Sequence, residues 1–109
     1  MSRVKLSTQA IGDAKRLYDF LSQYDLTVAD NSSRVLVKAL QALEQQPHMG
    51  APLPDRPGFR KMVVDFGASG YLIFHKRYES TDVNVVVRII HQKEWYDATT
   101  LGLADDGSA

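Results

Sequence analysis

The sequence predicts a single α+β domain, in which an N-terminal strand and an antiparallel hairpin of two helices pack on an antiparallel sheet of about four strands. Three observations predict this class. Residues 10–43 carry two apolar stripes at helical spacing, residues 60–90 contain three strand-like runs, and the connections between these elements are short. A chain of 109 residues can build one hydrophobic core but not two.

The first strand and the first helix are predicted to be neighbours in the chain. Residues 3–6 alternate polar and apolar side chains, as a short strand does. Ser7 or Thr8 can cap the helix that follows by accepting a backbone N–H. The helix is expected to run from Ala10 to about Tyr24, because its apolar residues form one stripe: Ala10, Ile11, Ala14, Leu17, Tyr18, Leu21 and Tyr24.

The second helix is predicted after a short connection at residues 25–26. Thr27 and Asp30 have the spacing of a capping box, which favours a helix start at this point. Pro47 ends the helix, since a residue before proline is kept out of the helical region. Two amphipathic helices with so short a link should pack antiparallel. Residues 48–57 contain three prolines and form an irregular crossing to the sheet.

Period-two alternation assigns two faces to each of the three later strands. In the last strand the face expected to lie on the helices carries Val83, Val85, Val87 and Ile89, and the opposite face carries Asn84, Val86, Arg88 and Ile90. In the middle strand Tyr71, Ile73, His75 and Arg77 oppose Leu72, Phe74, Lys76 and Tyr78. In the first, Arg60, Met62 and Val64 oppose Lys61, Val63 and Asp65. The face away from the helices is thus half apolar, which suggests a binding groove there.

Composition excludes several classes of function. The chain has no cysteine and three scattered histidines, so no disulfide framework, zinc site or cofactor is expected. No apolar run reaches the roughly 18 residues that span a bilayer, and the N-terminus lacks the apolar core of a signal peptide. We therefore expect a cytoplasmic protein with no membrane partner. The folded domain is expected to span residues 1–103, with a flexible acidic tail at 104–109.

Charge is distributed unevenly although its sum is zero. Residues 56–96 carry seven basic and four acidic side chains, whereas residues 97–109 carry three acidic and no basic ones. An excess of three positive charges is a weak footprint for a nucleic-acid partner.

The order of elements and several short motifs resemble the RelE/ParE superfamily of type II toxins over about residues 3–100. The second helix closes with L-x-x-x-P-x-x-G at residues 43–50, and Gly58-Phe59-Arg60 opens a strand. Residues 66–71, FGASGY, form a turn into the next strand. The last strand ends in RIIHQKE at residues 88–94, which is similar to the R-x-x-H-x-R-E ending of the family.

The resemblance implies a toxin that is silenced by a cognate antitoxin, which lays an amphipathic helix or an extended segment across it. It also implies two possible targets. RelE-like members cut messenger RNA in the ribosomal A site, whereas ParE-like members lack the nuclease residues and poison DNA gyrase. A third possibility is a non-toxic remnant whose fold serves only as a protein-interaction module.

A metal-free ribonuclease needs a base, an acid and cations around the scissile phosphate. In the RelE-like alternative Lys93, Arg60 and Arg88 would bind phosphate, and His91, Glu94 or Tyr96 would handle protons. Two departures from the nuclease branch favour the ParE-like alternative, because Leu72 and Met62 occupy places where that branch has basic residues.

For a ParE-like protein that acts by binding, the predicted target contacts are Arg60, Lys61, Arg88 and Lys93. Two of the candidate residues also have a structural interpretation. Arg88 lies in a valine-rich strand and can form an ion pair, for instance with Asp65 or Glu94. His91 at the end of the sheet is more often a hydrogen-bonded structural residue than a general base.

Overall fold

The computed structural model describes residues 3–92, which form two helices packed on one face of a five-stranded sheet. The elements are β1 (Arg3–Leu6), α1 (Thr8–Ser22), α2 (Leu26–Gln45), β2 (Ala51–Pro52), β3 (Phe59–Phe66), β4 (Ser69–Tyr78) and β5 (Val83–His91). The predicted α+β class is confirmed. The predicted tail at 104–109 lies outside the described residues. None of the helices within residues 3–92 has the length and apolar run needed to cross a bilayer.

The sheet has the strand order β1-β5-β4-β3-β2. β3, β4 and β5 form the predicted antiparallel meander. The sheet is mixed rather than wholly antiparallel, because β1 lies parallel to β5, with Leu6 opposite Val86. The fifth strand, β2, adds only two residues at the far edge, opposite Arg60 and Lys61. The side-chain alternation of β1 and β2 does not show which strand each one pairs with, or whether the pairing is parallel or antiparallel.

Helix α1 begins one turn from its first buried residue. Ser7 has extended backbone and its hydroxyl accepts the N–H of Ala10 at 3.1 Å, which confirms one of the two predicted caps. Of the predicted apolar stripe, Ile11 is exposed and Tyr24 lies beyond the end of the helix.

Helix α2 begins earlier than predicted. Asp25 is its N-cap, and its carboxylate accepts the N–H groups of Thr27 and Val28. The predicted capping box is therefore wrong. Asp30 instead accepts a hydrogen bond from the Tyr18 hydroxyl at 2.8 Å, which ties α2 to α1.

Hydrophobic residues are buried on both faces of the sheet. The core between helices and sheet contains Ala10, Leu17, Leu36, Leu43, Met62, Val64, Tyr71, Ile73, Val86 and Ile89. A smaller outer cluster on the opposite face contains Phe59, Leu72, Phe74 and Ile90, with Leu53 and Val87 packed against it. The predicted faces of β3 and β4 agree with this division.

A β-bulge at Val87 reverses the predicted faces of β5 up to that residue, whereas the predicted faces of Ile89 and Ile90 after it are confirmed. The register with β4 skips this residue, so Val87 has no cross-strand partner there. One extra residue shifts the alternation by one position. As a result Val86 and Ile89 lie in the helix-side core, whereas Val87 and Ile90 belong to the outer cluster.

Candidate functional site: an apolar groove and the charged residues around the sheet

An apolar groove opens between α1 and the turn that joins β3 to β4. Its volume is about 790 Å³, within the range of ordinary binding sites. It lies beside the helices and not on the outer sheet face, where the sequence suggested a groove. We call it the α1 groove; its lining consists of Arg16, Leu17, Phe20, Leu21, Phe66, Gly67, Ala68, Tyr71 and His91.

Tyr71 forms the floor of the α1 groove. Its ring stacks on that of Phe66, with centroids 5.9 Å apart. Its hydroxyl shares a buried hydrogen bond of 2.7 Å with the hydroxyl of Ser32 on α2. A buried tyrosine whose polar end is paired has little freedom to turn. The floor is therefore built before any partner arrives.

Aromatic side chains extend the groove outward along the end of α1. Phe20 and Tyr24 are 56% and 75% exposed, and their rings meet edge to face with centroids 5.4 Å apart. Leu26, at the start of α2, is exposed as well. Large apolar side chains that stand together on a surface mark an interaction site more often than scattered ones do.

His91 lies at the polar rim of the α1 groove. Its Nε2 and the Ser69 hydroxyl are 3.0 Å apart and share a hydrogen bond. The edge of its ring meets the face of Tyr71 at a centroid distance of 5.8 Å. The predicted proton carrier is thus packed into the β3–β4 hairpin end, in agreement with its structural interpretation.

Arg88 forms an ion pair, and its partner is Asp13 on α1 rather than Asp65 or Glu94. The carboxylate of Asp13 accepts hydrogen bonds from Arg88 Nε at 2.7 Å and from its terminal nitrogen at 3.0 Å. It also accepts the backbone N–H of Ile89 at 3.0 Å. Asp13 is almost fully buried, so this pair joins helix and strand in a partly dry environment.

Arg60 and Lys61 lie at the opposite end of the sheet from His91. Arg60 donates to the carbonyl of Gly50 at 2.9 Å. Lys61 pairs with Phe74, which in turn pairs with Arg88, so the backbones of Lys61 and Arg88 are separated by two strand spacings, about 10 Å.

The structure therefore does not gather the four predicted site residues within its described part, Arg60, Lys61, Arg88 and His91, into one cluster. The other predicted residues, Lys93, Glu94 and Tyr96, lie outside the described part of the chain. Within residues 3–92 no three histidine, aspartate or glutamate side chains are grouped as metal ligands.

Sequence reasoning missed the buried polar residues Asp13, Ser32, His75 and Asn84. One of them had a readable signal. Asp13 comes three residues after Ala10 and four before Leu17, inside the buried stripe of α1, where a carboxylate needs a partner. The partner of Asp13 is Arg88, which is 75 residues away in the sequence, so the local pattern could not identify it.

Comparison with protein families and solved structures relates this fold to known proteins. Residues 4–96 match the family model of the ParE toxin of type II toxin–antitoxin systems, parDE. That match covers most of the chain. Among proteins of curated function, no sequence matches significantly.

Solved structures of toxins share the fold at low sequence identity. The chromosomal ParDE system from P. aeruginosa superposes with a TM-score of 0.68 at 18% identity, covering 84% of this chain and 96% of that one. The RelBE2 toxin–antitoxin complex from Mycobacterium tuberculosis has a TM-score of 0.58 at 20% identity, covering 84% and 98%. The isolated E. coli RelE toxin has a TM-score of 0.61 at 17% identity, covering 94% and 95%.

Proposed function

Because the chain belongs to the ParE toxin family of type II toxin–antitoxin systems, we propose that it is a growth inhibitor that acts by binding DNA gyrase and that a cognate antitoxin neutralises it. The action is trapping of an enzyme–DNA intermediate by a bound surface. Arg60 and Lys61 are its proposed contacts among the described residues, and Lys93 is a third. Arg88 contributes by holding α1 on the sheet through Asp13.

One observation favours binding over RNA cleavage: within residues 3–92, the residues of the nuclease alternative are dispersed or engaged. His91 is bonded to Ser69 at one end of the sheet, whereas Arg60 is bonded to Gly50 at the other. The two places where the nuclease branch has cations, Met62 and Leu72, are buried in the two hydrophobic clusters. A phosphorane needs several charged groups within contact distance of one another.

The α1 groove is the proposed docking site of the antitoxin. Its apolar lining, prebuilt floor and exposed aromatic extension suit the apolar face of an amphipathic helix. Arg16 and His91 at the rim give the partner polar contacts that set its orientation. The neighbours from P. aeruginosa and M. tuberculosis are themselves toxin–antitoxin systems.

Induction of the chain in cells, followed by primer extension on messenger RNA and an assay of the DNA-damage response, tests the target. We expect intact messages together with a DNA-damage response. Codon-phased cuts in messenger RNA would instead establish the RelE-like ribosomal nuclease. Unaffected growth in the absence of any antitoxin would identify the non-toxic remnant in that host.

The docking site is tested by Phe20→Ala, measured as affinity for the antitoxin encoded beside this gene. Truncating an exposed aromatic contact costs on the order of 1–2 kcal/mol, so we expect about tenfold weaker binding. Val37→Ala is the matched control, since Val37 is similarly exposed but lies on α2 outside the groove lining. Equal affinities of the two variants would place the antitoxin elsewhere.

A further inference from the structure

The crossing segment between α2 and β2 is held at four consecutive residues, by three side chains of the sheet and by Glu79 in the turn before β5. We call residues Pro47–Gly50 the clasp segment. Its contacts are Asn84 Nδ2 with the Pro47 carbonyl at 2.8 Å, Glu79 with His48 at 3.2 Å, His75 Nε2 with the Met49 carbonyl at 3.0 Å, and Arg60 with the Gly50 carbonyl at 2.9 Å. A turn that is anchored at each residue by a different side chain is a defined element rather than a loose loop.

Two of these anchors are buried beneath the segment. His75 on β4 and Asn84 on β5 are both fully inaccessible, and they bind carbonyl groups two residues apart. Because a carbonyl only accepts, His75 Nε2 must carry the proton. In the neutral ring Nδ1 is then a bare acceptor, and it has no hydrogen-bond partner within the described residues.

The surroundings of His75 oppose a second proton on the ring. Burial is the main reason that its pKa is lowered from the ordinary value of 6.5, and the positive charge of Arg60 on β3 lowers it further. The Met49 carbonyl acts in the opposite direction. From β5 the ring faces the uncharged residue Val86, its cross-strand partner. A proton on Nδ1 would thus place an unpaired donor and a second cation beside Arg60.

We propose that the clasp segment is an acid-sensitive latch: protonation of His75 releases it and β2 from the sheet. Release uncovers the edge of β3 at Arg60 and Lys61 and frees the Arg60 guanidinium from the Gly50 carbonyl. The latch therefore controls access to two of the residues proposed above as target contacts, but its existence does not depend on that target.

The direction of the pH effect follows from proton linkage. When the segment is released, the His75 ring is hydrated and takes up a proton below about pH 6.5, whereas beneath the latched segment it takes one up only at a lower pH. Latching is therefore complete above that pH and weakens as pH falls, by up to about tenfold in the opening equilibrium per pH unit. The side chains of His48 and Glu79 are both mostly exposed, so their pair contributes little to the latch.

Amide hydrogen exchange on the full chain from about pH 7.5 to about pH 5 tests the latch. Protection of Ala51 and Leu53, corrected for intrinsic exchange, should fall by up to about tenfold per pH unit, while protection of Ile73 in the centre of the sheet should not. His75→Gln retains an amide donor for Met49 but cannot be protonated, so it should flatten the dependence. His48→Gln is the matched control and should leave the slope in place.

Two results would overturn the proposal: protection of Ala51 and Leu53 that does not change with pH in the wild type, or an unchanged dependence of that protection on pH in His75→Gln. Should His75→Gln fail to fold, NMR titration of the three histidine rings in the wild type decides the matter. The latch requires that the pKa of His75 lies below the ordinary histidine value of 6.5, and a His75 ring that titrates at or above that value refutes it.

Discussion

The two lateral edges of the sheet are closed in different ways. Beyond the last residue of β1, helix α1 covers the edge of β5 with side chains: Ser7 donates to the Val87 carbonyl at 3.0 Å, and Asp13 accepts the Ile89 N–H. We call this the sealed edge. At the other edge, two residues of β2 and the clasp segment cover β3, and on the side of β3 away from β4 no described strand pairs with it beyond Lys61. We call this the clasped edge.

The difference lies in what each closure would cost to open. The sealed edge contains the ion pair of Asp13 and Arg88, and Asp13 also accepts the Ile89 N–H. Opening this edge would therefore separate a buried carboxylate from its donors. The clasped edge is held by hydrogen bonds to backbone carbonyls, by the exposed pair of His48 and Glu79 and by a short strand, and Val63 beside it is 58% exposed. An unpaired strand with an exposed apolar residue is a template for strand addition. We therefore expect a partner's extended segment to add at β3 and not at β5.

The largest predicted effect comes from breaking the sealed edge with Asp13→Ala. The change leaves the Arg88 guanidinium and the Ile89 N–H without their buried acceptor, so the free energy of unfolding should fall by about 3–5 kcal/mol in urea titrations. Asp19→Ala, which removes an exposed pair with Lys15, should change it by less than about 0.5 kcal/mol.

A second substitution separates loss of an acceptor from loss of packing. Adding Arg88→Met to Asp13→Ala removes the stranded cation, so the double variant should recover part of the stability. A double variant less stable than Asp13→Ala would contradict the account of the sealed edge.

The clasped edge depends on Gly50, and Gly50→Ala should destabilise the protein by about 1–3 kcal/mol. Gly50 has a φ of +89°, and a Cβ there would lie 2.5 Å from the Lys61 carbonyl oxygen. Gly12→Ala is the matched control, because a Cβ in that exposed turn of α1 meets open space. Thermal unfolding should show Gly12→Ala more stable than wild type by about 0.5–1 kcal/mol.

A smaller loss is expected from Ser7→Ala at the sealed edge. The substitution removes both the cap of α1 and the hydrogen bond to Val87, at a cost of about 1–2 kcal/mol in the free energy of unfolding. Ser80→Ala in the exposed turn before β5 should stay within about 0.5 kcal/mol of wild type. Equal effects of the two changes would show that Ser7 does not help to close the edge.

The smallest effect concerns the surface anchor of the clasp segment. The hydrogen bond from His48 is the largest cause that lowers the pKa of Glu79, and Arg77 adds to it. Since a lowered carboxyl pKa stabilises the fold above the unfolded pKa and is lost as pH falls, this anchor weakens below about pH 4.5. His48→Gln should raise the pKa of Glu79 in a carboxyl NMR titration, whereas His91→Gln should leave it unchanged.

Much of the fold was predictable because it depends on neighbouring residues. Apolar spacing located both helices, Ser7 marked the start of α1, and alternation assigned the faces of β3 and β4. The prediction was wrong where several local signals competed, as at Asp25 and Thr27, both of which can cap a helix. It was wrong again at Val87, since a bulge adds one residue without changing the apolar composition of the strand.

The candidate site was less predictable than the fold. The motifs identified the toxin superfamily, and the family model confirms it. The sequence suggested a binding groove on the outer face of the sheet, whereas the α1 groove lies beside the helices. Apolar alternation shows that a face is buried but not what covers it. Arg88 was recognised as a possible ion-pair residue, yet its acceptor on α1 was not.

By itself the sequence determined the class of fold, the order of its helices and strands, and the family, because each depends on periodicity and spacing along the chain. Only the tertiary structure decided that β1 lies parallel to β5, that Asp13 seals one edge and that His75 latches the other. Those contacts join residues 26 to 80 positions apart, and their free energy arises from burial and pairing that no local pattern encodes.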